Sequence, residues 1–307
     1  MTDRFNSNNE IDLNFYELFH IIWKGRYRIL YIVVFFAIIS FIYAISLPNL
    51  YKSEATLTTT DRSFGSSISS PVSSGLAGFA GINFSNGLDN RAEEGIEIMK
   101  SLYFFTTMSD EHDLAADIFA VKGWDEKTRS LIYDSTIYNT TSKEWIVGTE
   151  GKKQSKPSYQ EVYEKFEEMF SVTKDRNTNF INVSAISYSP DLSKRLVDLS
   201  IDHINKIARE AETEKALKSI EYLNRQIELT ELAEVRQALS SLVQSETETL
   251  LLAKASPDFL FKVLDPAFSA EKKVSPSRVI IILFGLIIGF VIGILYVFLN
   301  NNRVKNE

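Results

Sequence analysis

Cysteine is missing from all 307 residues, and histidine occurs only three times. Without cysteine there is no disulfide framework and no thiolate chemistry. His20, His112 and His203 lie far apart, and none has metal-ligand spacing such as HExxH. Walker A runs, dinucleotide fingerprints and the G-x-S-x-G elbow are missing too. Asp and Glu are plentiful, but over the second half of the chain they alternate with Lys and Arg, as on a solvated helix face. A glycosidase-like carboxylate pair is the weaker reading of these acids. The expectation is a non-enzyme with no catalytic, cofactor-binding or metal-ligating residues and no cofactor.

Charge is missing from two long stretches. Neither Ile29–Leu47 nor Val279–Leu299 contains an Asp, Glu, Lys or Arg. A bilayer core takes about 20 apolar residues of helix, so each stretch is long enough to cross one. A cleaved signal peptide is the competing reading of the first, with Ala44-Ile45-Ser46 as a small-x-small site. Against it, the preceding segment is long and carries Asp3, Glu10, Asp12 and Glu17. Lys24, Arg26 and Arg28 abut the first span, whereas Lys52, Glu54, Asp61 and Arg62 beyond it cancel. The positive-inside rule then puts the N-terminus in the cytoplasm, and two spans return the C-terminus there. The expected layout is a cytoplasmic segment 1–28, spans 29–47 and 279–299, an outer domain 48–278 and a cytoplasmic tail 300–307. Trp23, Tyr27, Tyr43 and Tyr51 stand where interfacial aromatics belong. The tail leaves no room for a signalling output module, which speaks against a ligand sensor.

The net charge is −7. Residues 1–28 balance and the tail is +1, so the part between carries −8. Such a body repels nucleic acid and anionic membrane surface.

Within the outer domain, Tyr51–Thr60 alternates and reads as a strand. Arg62–Asn90 is rich in Ser and Gly and reads as a loop. Its Gly75, Gly78 and Gly81 lack the Lys-Ser/Thr of a phosphate cradle. Ala92–Ser109 has helical periodicity. Lys122–Trp145 is mixed, and its Trp124, Tyr133, Tyr138 and Trp145 read as packing residues rather than a sugar platform. Ser158 and Glu161 form a capping box, so a helix follows from Tyr159 to about Phe170. Phe180–Tyr188 alternates as a strand, and Ser189-Pro190 opens another helix with a cap and a first-turn proline.

Between Pro190 and Ser256 there is no internal proline or glycine. Good helix formers dominate, and an unbroken helix of roughly 65 residues would reach about 100 Å. Ile220, Leu223 and Ile227 keep helical spacing, as do Leu232, Val235, Leu239 and Leu242. The step from Ile227 to Leu232 breaks register, which points to a kink or a change of partner near Glu228–Ala233. So long a rod cannot bury its apolar face on its own domain, which predicts a homo-oligomer with these residues facing other copies. A hairpin folding back near Glu228 is the less favoured alternative, because no glycine or proline marks a turn. Phe259–Leu264 reads as a strand returning to a small membrane-proximal sheet with Tyr51–Thr60 and Phe180–Tyr188. Ser275 and Pro276 read as the cap of the second span. Within that span Gly285, Gly289 and Gly293 recur on one face and allow close helix approach, to the chain's own first span or to another subunit. The fold class is α+β, with a small sheet and one very long helix between two transmembrane helices.

This order of features resembles the Wzz-type chain length determinants, the polysaccharide co-polymerases. Ser219–Ala267 (SIEYLNRQIELTELAEVRQALSSLVQSETETLLLAKASPDFLFKVLDPA) carries most of the likeness, with Pro276-Ser277-Arg278 leading into Gly285 and Gly289. Glu97–Ser101, Trp124–Thr128, Ile132–Asp134 and Tyr188–Asp198 also look like family segments. The chain departs from the pattern before the second span, where only Pro266 and Pro276 remain of a proline-rich stretch and Ala270 stands near another position. The resemblance implies regulation of the length of a lipid-linked glycan, usually the O-antigen of lipopolysaccharide. It also implies an inner-membrane oligomer partnered with the O-antigen polymerase, lipid-linked polysaccharide and membrane lipid. A capsule or exopolysaccharide co-polymerase is the alternative within the class.

Overall fold

The structure, a computed structural model, describes residues 23–60, 87–146 and 156–305. Along the chain, α1 (Arg26–Ser46) leads to β1 (Tyr51–Thr59), α2 (Gly87–Met99), α3 (Leu102–His112) and α4 (Ala115–Phe119). Two short ribbons follow, β2 (Val121–Asp125) with β3 (Ser130–Tyr133), then β4 (Tyr138–Asn139) with β5 (Glu144–Trp145). Next come α5 (Tyr159–Met169), β6 (Phe170–Lys174), β7 (Ile181–Ser187), α6 (Pro190–Leu229) and α7 (Ala233–Ala255). Strand β8 (Phe261–Asp265) and helix α8 (Arg278–Lys305) complete the order. The chain divides into two compact units, one of Met1–Asn49 with Val274–Glu307 and one of Leu50–Lys273.

The larger unit is a mixed α/β body on a four-stranded sheet of order β6-β7-β1-β8, antiparallel throughout. The register places Leu57 opposite Ile181, Ala55 opposite Val183 and Ser53 opposite Ala185. Directly opposed residues share a face, so the alternation read in β1 and β7 becomes one buried apolar layer. Helix α6 packs on β1 and β7. Its first four turns supply the buried residues Leu192, Leu196, Val197, Ile201 and Ile204. Phe104, Phe105 and Met108 of α3 join the same core, with Val162 and Phe166 of α5. The local signals act as expected at two starts. Ser158 accepts from the Glu161 N–H while the Glu161 carboxylate accepts from the Ser158 N–H. Ser189 accepts from the Leu192 N–H, with Pro190 in the first turn.

Several boundaries differ from expectation. Residues 87–90, read as loop, already belong to α2, while the rest of the Ser/Gly-rich stretch, including Gly75, Gly78 and Gly81, lies outside the described residues. The helix expected over Ala92–Ser109 is two helices. Ser101 takes extended angles (φ −82°, ψ 150°) and its side chain caps the second by accepting from Phe104 N–H at 3.1 Å. Strand β6 follows α5 with no turn residue and was not anticipated. The aromatic segment packs on itself: Tyr138 meets Tyr133 at 5.6 Å and Trp145 at 5.2 Å between ring centroids. Trp145 also meets Phe119 at 6.2 Å.

The main correction concerns the long helix. It is not one rod of Pro190–Ser256 but a 40-residue α6 and a 23-residue α7 that pack against each other. At 1.5 Å per residue these measure about 60 Å and about 35 Å. The chain turns at Thr230–Leu232. Thr230 (φ −95°, ψ 124°) and Leu232 (φ −75°, ψ 119°) adopt ordinary extended angles, open to any L-residue, so the turn needs neither glycine nor proline. Thr230 Oγ1 donates to the Gln226 carbonyl at 2.7 Å, and the Arg236 guanidinium donates to the Thr230 carbonyl at 2.8 Å. The five-residue step from Ile227 to Leu232 therefore marks a reversal rather than a kink.

Candidate functional site

In the smaller unit, α1 and residues 278–300 of α8 are long and apolar enough to cross a membrane, with mean hydropathies of 2.6 and 3.0. Only 11% and 17% of their most apolar stretches are buried. A core helix of a water-soluble protein would be mostly covered, whereas these turn most of their apolar surface outward. The two helices pack together. A Cβ added at Gly285 would collide with Ser40. One at Gly289 would lie 2.9 Å from Phe36 Cβ and 3.1 Å from Val33 Cα, and one at Gly293 would lie 3.1 Å from Ile29 Cγ2. The three glycines thus form a continuous seam against α1 within the chain, with the helices running in opposite directions. Sequence reasoning missed the other side of this seam. Gly25 has no room for a Cβ beside Val297, and Ala44 is 1% exposed. Ser40 and Ala44 stand four apart, a small-xxx-small spacing that was available as a signal. Helix α8 starts at Arg278, and the Ser277 carbonyl accepts from the Ile280 N–H at 2.9 Å. Ser277, not the expected Ser275 and Pro276, holds the cap position.

In the larger unit, the hairpin of α6 and α7 carries the residues expected to face other copies. Ile220, Leu223, Ile227 and Leu239 are half-buried, along the stretch where the two helices pack. Leu232, Val235 and Leu242 are 66%, 42% and 51% exposed, so the fold of one chain does not use them. The expected single face is therefore divided between a partly covered group and an open group near the tip. At the other end of the hairpin, the Asn205 side chain is buried and clamps the returning strand. Its Oδ1 accepts from Leu260 N–H at 2.8 Å and Phe261 N–H at 2.9 Å, and its Nδ2 donates to the Phe261 carbonyl at 2.9 Å. Sequence reasoning did not single out Asn205, and a polar residue on a helix face gives no such signal.

Past β8 the backbone runs from Pro266 to Val274 without helix or strand. Ser53 Oγ donates to the Phe268 carbonyl at 2.7 Å, and Ser269 Oγ donates to Asp191 Oδ1 at 3.0 Å. Asp191 also receives the Arg129 guanidinium at 2.8 and 2.9 Å, which holds its carboxyl below the usual range. The second linker proline, Pro276, belongs to the smaller unit, two residues ahead of α8. Among the described residues no group of three or more His, Asp or Glu could hold a metal ion. What the geometry provides is packing surface.

Residues 9–112 match the model of the Wzz family, described as chain length determinant protein. Over that third of the chain it is similar to Wzz-type proteins. The matched stretch takes in the first apolar helix, β1, α2 and α3. Among solved structures it is similar to a full-length bacterial polysaccharide co-polymerase. The identity is 11% and the TM-score 0.39, covering 96% of this chain and 98% of that one. It is also similar to a fragment of WzzB, a polysaccharide co-polymerase from Salmonella Typhimurium. There the identity is 13% and the TM-score 0.31, covering 74% of this chain and 100% of that one. No curated protein matches.

Proposed function

We propose that this chain is a Wzz-type chain length determinant that regulates the length of O-antigen on lipopolysaccharide, acting as an oligomeric scaffold for the glycan polymerase in the bacterial inner membrane. The family match over residues 9–112 carries the reading. The paired apolar helices support a two-span membrane protein, because a bilayer would cover what the fold leaves open. Lys24, Arg26 and Arg28 support cytoplasmic termini and a periplasmic body over 48–278. Leu232, Val235 and Leu242, uncovered in one chain, support self-association through the hairpin. The proposed partners are other copies of the chain, the O-antigen polymerase, lipid-linked polysaccharide and membrane lipid. In this reading the chain shapes a product that another protein makes, and its role is regulatory rather than catalytic.

The test is a gel of lipopolysaccharide from a strain lacking the gene, with and without the gene restored. Deletion is expected to spread the glycan ladder while total polymer persists, and restoration to bring back a dominant length. Complete loss of polymer would point to an enzyme. An unchanged ladder beside an altered capsule would move the role to capsular glycan. A reporter fused at Thr140 that functions in the cytosol would overturn the orientation.

A further inference from the structure

The larger unit contains one buried imidazole that packing surface alone does not explain. His203 lies on α6, 5% exposed, with its ring edge-on to Phe104 of α3 at 5.2 Å between centroids. Its Nε2 is 2.9 Å from Thr107 Oγ1 on α3. The Thr107 hydroxyl is also within 2.9 and 3.0 Å of the Tyr103 and Phe104 carbonyls, so its proton has a helix acceptor and its oxygen can accept from Nε2–H. That assignment leaves Nδ1 as a bare lone pair. Nδ1 is buried without a hydrogen-bond partner and lies 3.5 Å from Glu111 Oε2.

The charged surroundings come from both helices. Glu111 and His112 face the ring from α3, and Lys206 and Glu210 from α6. The two glutamates favour an imidazolium, while Lys206 and His112 oppose it. Glu111 is already engaged, since Lys206 Nζ donates to both of its oxygens at 2.7 and 2.9 Å. A proton arriving on the buried Nδ1 would therefore have to compete with Lys206 for its nearest carboxylate. Burial is the largest influence and holds the ring below its ordinary value of 6.5.

We propose that His203 makes the packing of α3 on α6 a latch that acid releases: closed while the ring is neutral, loosened when it takes up a proton. The contact lies at the base of the hairpin, so acidity acts on the anchorage of the arm. The latch depends on the geometry of the larger unit and not on the glycan reading. The sign follows from linkage. A ring with a depressed pKa in the closed form binds its proton more readily once released. The opening constant should then rise as pH falls below 6.5, by up to about tenfold per pH unit, and level off once the closed ring also protonates.

The test uses the full chain in detergent. Backbone hydrogen exchange over 104–112 is followed from pH 7.5 to 5.0 and corrected for intrinsic rates. The opening constant is expected to rise several-fold between pH 6.5 and 5.5 in the unaltered protein and in H112Q, and to stay flat in H203Q. A rise that persists in folded H203Q overturns the latch. Deuterium exchange at the ring C2 position of His203 gives its pKa in the unaltered protein, whether or not H203Q folds. A value below 6.5 is expected, and one at or above 6.5 overturns the proposal.

Discussion

Helix α6 is one element with two different halves. Ten of its first sixteen residues are buried, from Pro190 to Asn205, and only Ala216 is buried in the twenty-four that follow. The first half is a core helix that lies on the sheet and excludes water with α3 and α5. The second half is an arm, held by propensity, by i,i+4 pairs such as Glu214–Lys218 and Glu221–Arg225, and by a partly covered seam with α7. Exposed pairs of that kind contribute little each, because water and salt screen them. Stability therefore concentrates at the base, and the arm is where sequence can serve purposes other than folding.

The sharpest way to break this division is to truncate one leucine on each side of it. Leu196, fully buried under the sheet, should lose about 3–5 kcal/mol as Leu196→Ala, through lost transfer energy plus the cavity left behind. Leu223→Ala, at a half-buried position of the arm, should lose about 1 kcal/mol, because solvent already reaches the side chain. Chemical denaturation of the detergent-solubilised chain measures both. Equal losses would mean that the arm carries as much of the fold as the base.

Asn205 sits at the border between the halves and should show an intermediate effect. Asn205→Ala removes three hydrogen bonds and leaves the Leu260 and Phe261 amides and the Phe261 carbonyl without that partner, at about 2–3 kcal/mol. Amide exchange at Leu260 and Phe261 should accelerate along with the stability loss. A loss below about 0.5 kcal/mol would show that pairing with β1 alone fixes β8.

The base was far more legible than the arm. Strands β1 and β7 declare themselves by alternation, and the helices at Ser158 and Ser189 by their caps, because those signals are local. Strand β6 has only Phe170 and Val172 to show and follows α5 without punctuation; pairing with β7 makes it a strand. The turn at Thr230–Leu232 was hidden because its angles demand no special residue, so the absence of glycine and proline misled. The glycine seam could be read from α8, but Ser40 and Ala44 gain their meaning only once α8 lies against them. His203 looked like any helix histidine. Its burial and its partners come from α3, 96 residues earlier at Thr107.

The smallest expected effect on stability tests the arm most directly. Leu232→Ser and Leu242→Ser together should change the unfolding midpoint by no more than about 0.5 kcal/mol, since both side chains are already exposed in the single chain. Their effect on assembly should be much larger. An exposed apolar group near the tip of the arm contributes only when a surface covers it, and each buried leucine side chain is worth about 1.5–3 kcal/mol. If other copies provide that surface, the double variant should dissociate at concentrations where the unaltered chain stays associated, as read by native mass measurement or crosslinking in detergent. An oligomer of unchanged size and stability would show that the tip leucines are covered by something else or by nothing, and would move self-association to another surface of the chain.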